Sequence, residues 1–424
     1  MRQPLPAAVA ERLEALRNRP IEPTEKGFCA LAGGQDGPVT AARLATAKPP
    51  LHAAGFSYPL LTLRQAAVRN NVEAMAAYCA AAGVELAPHG KTAMSPELAA
   101  LQLSHGAWGI TVATIGQLAT YRAFGFPRLL LANELVDGAG IAWLAAELAA
   151  DPGFEAYCYV DSVDGVSVLD RVLTAHPAGR PLPVLVEIGH AAGRTGCRTD
   201  EAALAVAKAA AATGTLTLAG VAGYEGNLRG ATPAQTLGLV GSFCRRLRAL
   251  ADALPDAQGG ATGRQPIVTA GGSAYFDLVA AELTAGGGMT VILRSGAYLT
   301  HDHGHYHGVS PRRPGHARRP RAAARHRGVG AGAVPARARP GPARRGPPRR
   351  RLRPGPAGAA ARRAAGRRQA RPRRRHRDRA ERPARVPAPR QGRGGRPWRP
   401  DRPGHLASLH HPGQVADDSR RGLR

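Results

Sequence analysis

The sequence predicts an α/β protein, a closed (β/α)8 barrel, on three observations. Short apolar runs alternate with Ala/Leu-rich stretches of helical spacing from Tyr58 onward. Eight such strand–helix units follow one another from Glu85 over about 210 residues, the size this barrel needs. Polar or glycine residues stand at the carboxyl ends of several runs, where a barrel gathers them into one mouth. Repeated units of this kind imply a parallel sheet buried on both faces. A doubly wound open sheet is the alternative; no Gly-x-Gly-x-x-Gly follows the first strand, which counts against it.

Residues 1–57 read as an irregular N-terminal segment with one amphipathic helix, Ala7–Arg17. The apolar runs are then YPLLTL (58–63), ELAPHG (85–90), WGITVAT (108–114), RLLLANEL (128–135), EAYCYVD (155–161), LPVLVEIG (182–189), LAGVAGYEG (218–226), PIVTAGGS (266–273) and VILRSG (291–296). Helices are expected between them, for example over Arg64–Ala82, Ser95–His105 and Asp200–Ala212. The barrel domain is set at residues 58–307.

The net charge of +28 is not spread evenly. Of 58 basic residues 35 lie beyond Gly308, all arginine, against 5 of the 30 acidic ones; residues 1–308 keep 23 basic and 25 acidic groups. The basic balance therefore says nothing about the folded part. Arg, Pro and Gly supply 68 of the last 116 residues, and Trp398 is the only Phe, Tyr or Trp there. Such a segment buries too little apolar surface to offset its chain entropy, so 308–424 is expected to be a disordered basic tail. It could bind nucleic acid non-specifically, be a low-complexity tail without a role, or be the product of a shifted frame in a GC-rich gene. Nucleic-acid tails usually mix Lys with Arg and interleave aromatics. Allowed codons for His405–Ser419, read one base later, give ISHPCITPDKWRMI, a strand-like string with ordinary Lys, Trp, Met and Ile. The shifted frame is preferred.

Five dispersed cysteines (Cys29, Cys79, Cys158, Cys197, Cys244) form no CxxC pair. This argues for a reducing compartment, hence a cytoplasmic protein. The first residues lack the layout of a signal peptide, and no apolar run is long enough for a membrane span.

Lys91 is the sharpest chemical signal. It is one of four lysines and the only one at the end of a buried strand, directly after Pro88-His89-Gly90. Desolvation there would favour the free amine that forms Schiff bases; a solvent-facing lysine is the plain alternative. Gly271-Gly272-Ser273 and Arg294-Ser295-Gly296 follow the last two strands, where barrels commonly bind phosphate through loop amides and hydroxyls. Arg194, in Gly193-Arg194-Thr195-Gly196, could donate to a phenolate or phosphate oxygen. Tyr224 could face a ring nitrogen or act as acid or base. Both also read as ordinary turn and strand residues. The alternating His301, His303, His305 and His307 could ligate a metal, but no partner ligands are evident.

Taken in order, these motifs resemble the D-serine dehydratase / D-threonine aldolase family, which includes bacterial amino acid deaminases and has an alanine-racemase-like barrel. Pro88-His89-Gly90-Lys91-Thr92, the Gly106–Thr114 run, LLLAN (129–133), VEIGHAAGRTGCR (186–198), AGYEG (222–226), VTAGGS (268–273) and LRSGAYLTHDHGHY (293–306) carry the resemblance, over roughly 58–307. It implies pyridoxal phosphate as cofactor and Lys91 as its Schiff-base lysine. Gly271, Gly272, Ser273, Ser295 and Gly296 would hold the phosphate, Arg194 the phenolic oxygen, and Tyr224 would lie near the pyridine ring. It implies a small-molecule D-amino acid substrate and a homodimer. The preferred activity is that of a D-serine ammonia-lyase; D-threonine-type retro-aldol cleavage and a cofactor-binding or inactive product are the alternatives. The family's C-terminal β domain, with a His-Pro-Cys pair for a zinc-type metal, is expected to be largely missing, since no such triplet stands in this chain.

Overall fold

The computed structural model of the chain describes residues 3–301 and Gly304, apart from 23, 26, 29–37, 53–54, 192 and 255–264. The chain divides into units Met1–Gly341 and Pro342–Arg424, and every described residue belongs to the first. The expected tail, most of the alternating histidine run and Cys29 lie outside the described residues.

Eight parallel strands alternate with helices. The strands are β1 (Glu85–Leu86), β2 (Ile110–Val112), β3 (Arg128–Glu134), β4 (Glu155–Val160), β5 (Leu182–Ile188), β6 (Leu216–Gly223), β7 (Ile267–Ala270) and β8 (Thr290–Leu293). The helices are α1 (Ala7–Asn18), α2 (Ala41–Ala47), α3 (Gln65–Ala82), α4 (Pro96–Leu103), α5 (Ile115–Ala123), α6 (Gly138–Ala150), α7 (Val163–Ala175), α8 (Asp200–Ala211), α9 (Pro233–Asp252) and α10 (Phe276–Leu283). The sheet runs β1-β8-β7-β6-β5-β4-β3-β2. The ring is completed just beyond β1. Trp108 N–H donates to Leu86 C=O (2.7 Å), Thr111 N–H to Pro88 C=O (3.0 Å), and the Thr111 hydroxyl to Ala87 C=O (2.6 Å). A parallel bridge pairs His89 with Thr111.

Most helices begin at the mouth on a side-chain cap. Ser95, Thr114, Asp137, Ser162 and Thr199 each accept the amide three residues on, and Thr232 forms a capping box with Gln235. The apolar helix faces bury against the outer sheet surface, with Ile110, Leu129, Leu131 and Val160 at its centre. Inside the barrel, Leu130, Tyr157, Tyr159, Leu185 and Ile292 pack into one cluster. Arg128 and Glu155 close the foot with a 2.7 Å ion pair, and the Arg128 guanidinium lies 4.7 Å from the Trp108 ring centre.

Two expectations need correction. Residues 58–63 form no strand; Tyr58, Leu61 and Leu63 are exposed, and no described strand lies beside them to take up their backbone groups. Residues 1–57 hold a second helix, α2, started by the Thr40 side chain accepting from Arg43 N–H.

β6 carries one extra residue against β5, between Leu218 and Gly220. Gly220 has φ +145°, and a Cβ there would run into the Ile267 carbonyl. Gly220→Ala is expected to destabilise the barrel by about 3 kcal/mol, combining backbone strain with overpacking. Urea unfolding measures it; an unchanged midpoint would show that the bulge relaxes freely.

Candidate active site

The Lys91 turn is shaped by its floor. After His89 the chain makes a single 3₁₀ turn, Gly90–Thr92. The Tyr121 hydroxyl donates to Gly90 C=O (3.1 Å), and a Cβ on Gly90 would lie 2.6 Å from that oxygen. Glycine thus lets the turn rest on Tyr121, and Lys91 stands exposed at the rim. Although the residue is exposed, partial desolvation of its amine lowers the Lys91 pKa, and the Arg194 and Arg294 guanidiniums lower it further. Beneath it, burial holds the His89 imidazole down at about 3, with Lys91 and Arg294 acting in the same direction. His89 Nδ1 is buried without a hydrogen-bond partner among the described residues.

Arg294 ends β8 inside the barrel. It donates to the Thr269 hydroxyl (2.7 Å) and Gly223 C=O (2.6 Å), so β6, β7 and β8 are tied at one level. Arg194 reaches from the loop after β5 and lies 4.7 Å from the Tyr224 ring centre. Tyr224 in turn lies against Gly272, where a Cβ would stand 3.3 Å from its ring. The Ser295 hydroxyl donates to Gly271 and Gly272 carbonyls (3.4 and 3.2 Å). Gly296 packs against the Lys91 turn: its Cβ would lie 2.5 Å from His89 C=O and 2.9 Å from Thr92 Oγ1. Ser273 continues the Gly271-Gly272 turn, half-buried. The residues singled out in the sequence thus surround one mouth.

One detail differs from expectation. Gly271 and Gly272 were expected to offer their amides to an anion. Both donate instead to Glu225, a fully buried carboxylate, at 3.0 and 2.6 Å. These glycines shape the turn, Gly271 at φ +107°. The Ser273 and Gly296 amides have no hydrogen-bond partner among the described residues.

Sequence reasoning placed Asp161, Glu187 and Glu225 among the polar strand-end residues without giving them a role, named Arg294 only with its loop, and passed over Glu134 and the acidic group across the mouth. Glu134, Asp161 and Glu187 end β3, β4 and β5, with ligand oxygens all within 4.8 Å of one another. Burial raises the Glu134 pKa to about 8, reinforced by a hydrogen bond to Glu187 and its charge. The signal was present: Glu134 shares its inward parity with Leu130 and Ala132, and Glu187 shares it with Leu185.

A family model, alanine racemase N-terminal domain, matches residues 63–315, more than half of the chain. The chain belongs to that family. A 3-hydroxy-D-aspartate aldolase of Paracoccus denitrificans is 32% identical over 201 residues, 47% of this chain and 50% of the relative. A D-threonine aldolase of an Arthrobacter species is 29% identical over 252 residues, 58% of this chain and 61% of the relative. The chain therefore spans half to three-fifths of the length of these relatives. The crystal structure of the D-threonine aldolase from Filomicrobium marinum superposes with a TM-score of 0.50 at 24% identity, covering 58% of this chain and 63% of that one. This likeness shows the shared fold. No described helix is long and apolar enough to cross a membrane.

His89 makes a pH prediction. Its native form is neutral, so the unfolded chain binds the extra proton between the ordinary value of 6.5 and about 3. Stability is present above that window and falls as the pH drops through it, by at most about 1.4 kcal/mol per pH unit. Urea melts at a series of pH values are expected to show a steeper acid loss for the wild type than for His89→Asn; parallel curves would contradict it.

Proposed function

We propose that the barrel holds pyridoxal phosphate on Lys91 and acts as a lyase on D-amino acids with a 3-hydroxyl group, releasing a 2-oxo acid and ammonia. The observation that carries this reading is Lys91, which stands at the mouth within the electrostatic reach of Arg194 and Arg294, its turn packed against Gly296 through His89 and Thr92. The surroundings fit the cofactor. The Ser273 and Gly296 amides and the Ser273 hydroxyl suit a phosphate, and Arg194, spread over Tyr224, suits an anionic ring oxygen.

When bound, the cofactor supplies an electron sink for a carbanion at the substrate Cα. The lowered pKa of Lys91 keeps a larger share of its amine neutral, able to attack an aldehyde and then to accept the Cα proton. Tyr224 flanks the ring position and keeps Arg194 oriented. Loss of the Cα proton and the Cβ hydroxide, followed by hydrolysis, balances to 2-oxo acid and ammonia. The family's zinc-type metal carries no step here, since its His-Pro-Cys triplet is not in the chain.

Retro-aldol cleavage is the second reading, favoured by the two curated relatives, both named aldolases. It uses the same lysine and differs in the proton removed, from the 3-hydroxyl, and in the bond broken, Cα–Cβ.

Adding pyridoxal phosphate to the purified chain is expected to give an absorbance band at about 420 nm that Lys91→Ala lacks. D-serine should then yield pyruvate, with turnover at least ~10³-fold lower in Lys91→Ala. Glycine and acetaldehyde from D-threonine would select the aldolase reading. The band without either product would mean a cofactor-binding protein, and no band at all would remove the assignment.

A further inference from the structure

Across the mouth from Lys91, the proposed chemistry leaves the three inward carboxylates unused. Glu134, Asp161 and Glu187 sit on adjacent strand ends, and one ligand atom of each lies within 4.8 Å of the other two. A six-coordinate ion with metal–oxygen bonds of about 2.1–2.4 Å spans that distance between opposite ligands. Glu187 is 5% exposed. Its Oε2, like Glu134 Oε1, is buried with no hydrogen-bond partner among the described residues. Asp161 is held in place by the Gly196 amide, which donates to Oδ2 at 3.1 Å.

Tyr159 is an independent sign of a ligand. It is 2% exposed, and its hydroxyl is buried without a partner among the described residues. It stands on β4 directly beside Glu134 in the ladder and two residues before Asp161 on the same inward face. Its phenol feels the charges of both Glu187 and Glu134. Arg294 lies 5.8 Å from the Tyr159 ring centre. Three carboxyl groups with ligand oxygens within 4.8 Å of one another thus stand beside a buried hydroxyl that no described residue satisfies.

We infer that Glu134, Asp161 and Glu187 ligate a hard divalent cation of the Mg²⁺ or Mn²⁺ class, with the Tyr159 hydroxyl hydrogen-bonded to a ligand oxygen. All the donors are oxygens, which excludes a soft metal as the preferred occupant. The ion ties the ends of β3, β4 and β5 and completes the mouth opposite the lysine. This inference does not depend on the cofactor reading.

The test uses the full chain, stripped with a chelator and without pyridoxal phosphate. Mn²⁺ is titrated in, and the free ion is read by electron paramagnetic resonance. One Mn²⁺ per chain is expected to bind, Mg²⁺ should displace it, and Mn²⁺ should raise the unfolding temperature. Glu134→Gln and Glu187→Gln should each weaken binding at least tenfold, and Tyr159→Phe a few-fold. Should Glu187→Gln fail to fold, the half-buried Glu134 position carries the same comparison. Absence of Mn²⁺ binding would overturn the inference and leave a shared proton or water between the carboxyls. Binding of equal strength in both glutamate variants would overturn it too, placing the metal elsewhere, for instance on the histidine run.

Discussion

The mouth depends on how the first strand meets the second. β1 has only two ladder residues, paired with β8, and the ring would stay open without the contacts just beyond it. Thr111 makes them, with its amide on Pro88 C=O and its hydroxyl on Ala87 C=O. Both atoms of Thr111 are spent on residues within four positions of Lys91. The segment that carries the amine is therefore fixed as part of a wall, then turned upward over Tyr121. Removing the Thr111 hydroxyl would leave a buried carbonyl short of a donor, typically ~1–3 kcal/mol, and would loosen the lysine in the same step.

A second constraint is the way charge divides around the mouth. Lys91 and Arg294 mark a basic arc at β1 and β8, and Glu134, Asp161 and Glu187 an acidic one at the ends of β3, β4 and β5; Arg194, from the loop after β5, lines a cavity with Glu187 and acts between the two. On the basic arc, desolvation and like charge work together, so both His89 and Lys91 are pushed toward their neutral forms. On the acidic arc the same two effects push Glu134 toward its protonated form. Neither arc is at rest electrostatically, which is what a site arranged to receive charged occupants looks like. An anion relieves the first and a cation the second.

The repeating strand–helix pattern was legible because both periodicities are strong. Helix limits fell within one or two residues, as at Gln65–Ala82 and Asp200–Ala211. The residues 58–63 misled because alternation of apolar side chains says nothing about whether a partner strand exists. Lys91, the glycine turns, Arg194 and Tyr224 were legible as strand-end residues of unusual chemistry. Glu225 was legible only as a strand-end residue and not in its role, because a buried carboxylate that accepts two amides leaves no pattern in a single sequence. The acidic arc was hidden for a related reason: its members are 26 to 27 residues apart in the chain and meet only through strand register.

Glu225 also changes how the glycine turn can act. A carboxylate with no exposure, bonded to the Gly271 and Gly272 amides, presents negative charge beside the place where a phosphate is expected. An anion could be tolerated there only if cations outweigh that charge. Arg294 stands on the same level, donating to Gly223 C=O two residues before Glu225 and to Thr269 two residues before Gly271. The turn is thus a rigid frame whose amides are already committed. Attraction must come from Arg294 and Lys91, and direction from the Ser273 and Gly296 amides. Glycine serves here by letting the chain bend and approach, while the arginine within the barrel supplies the charge.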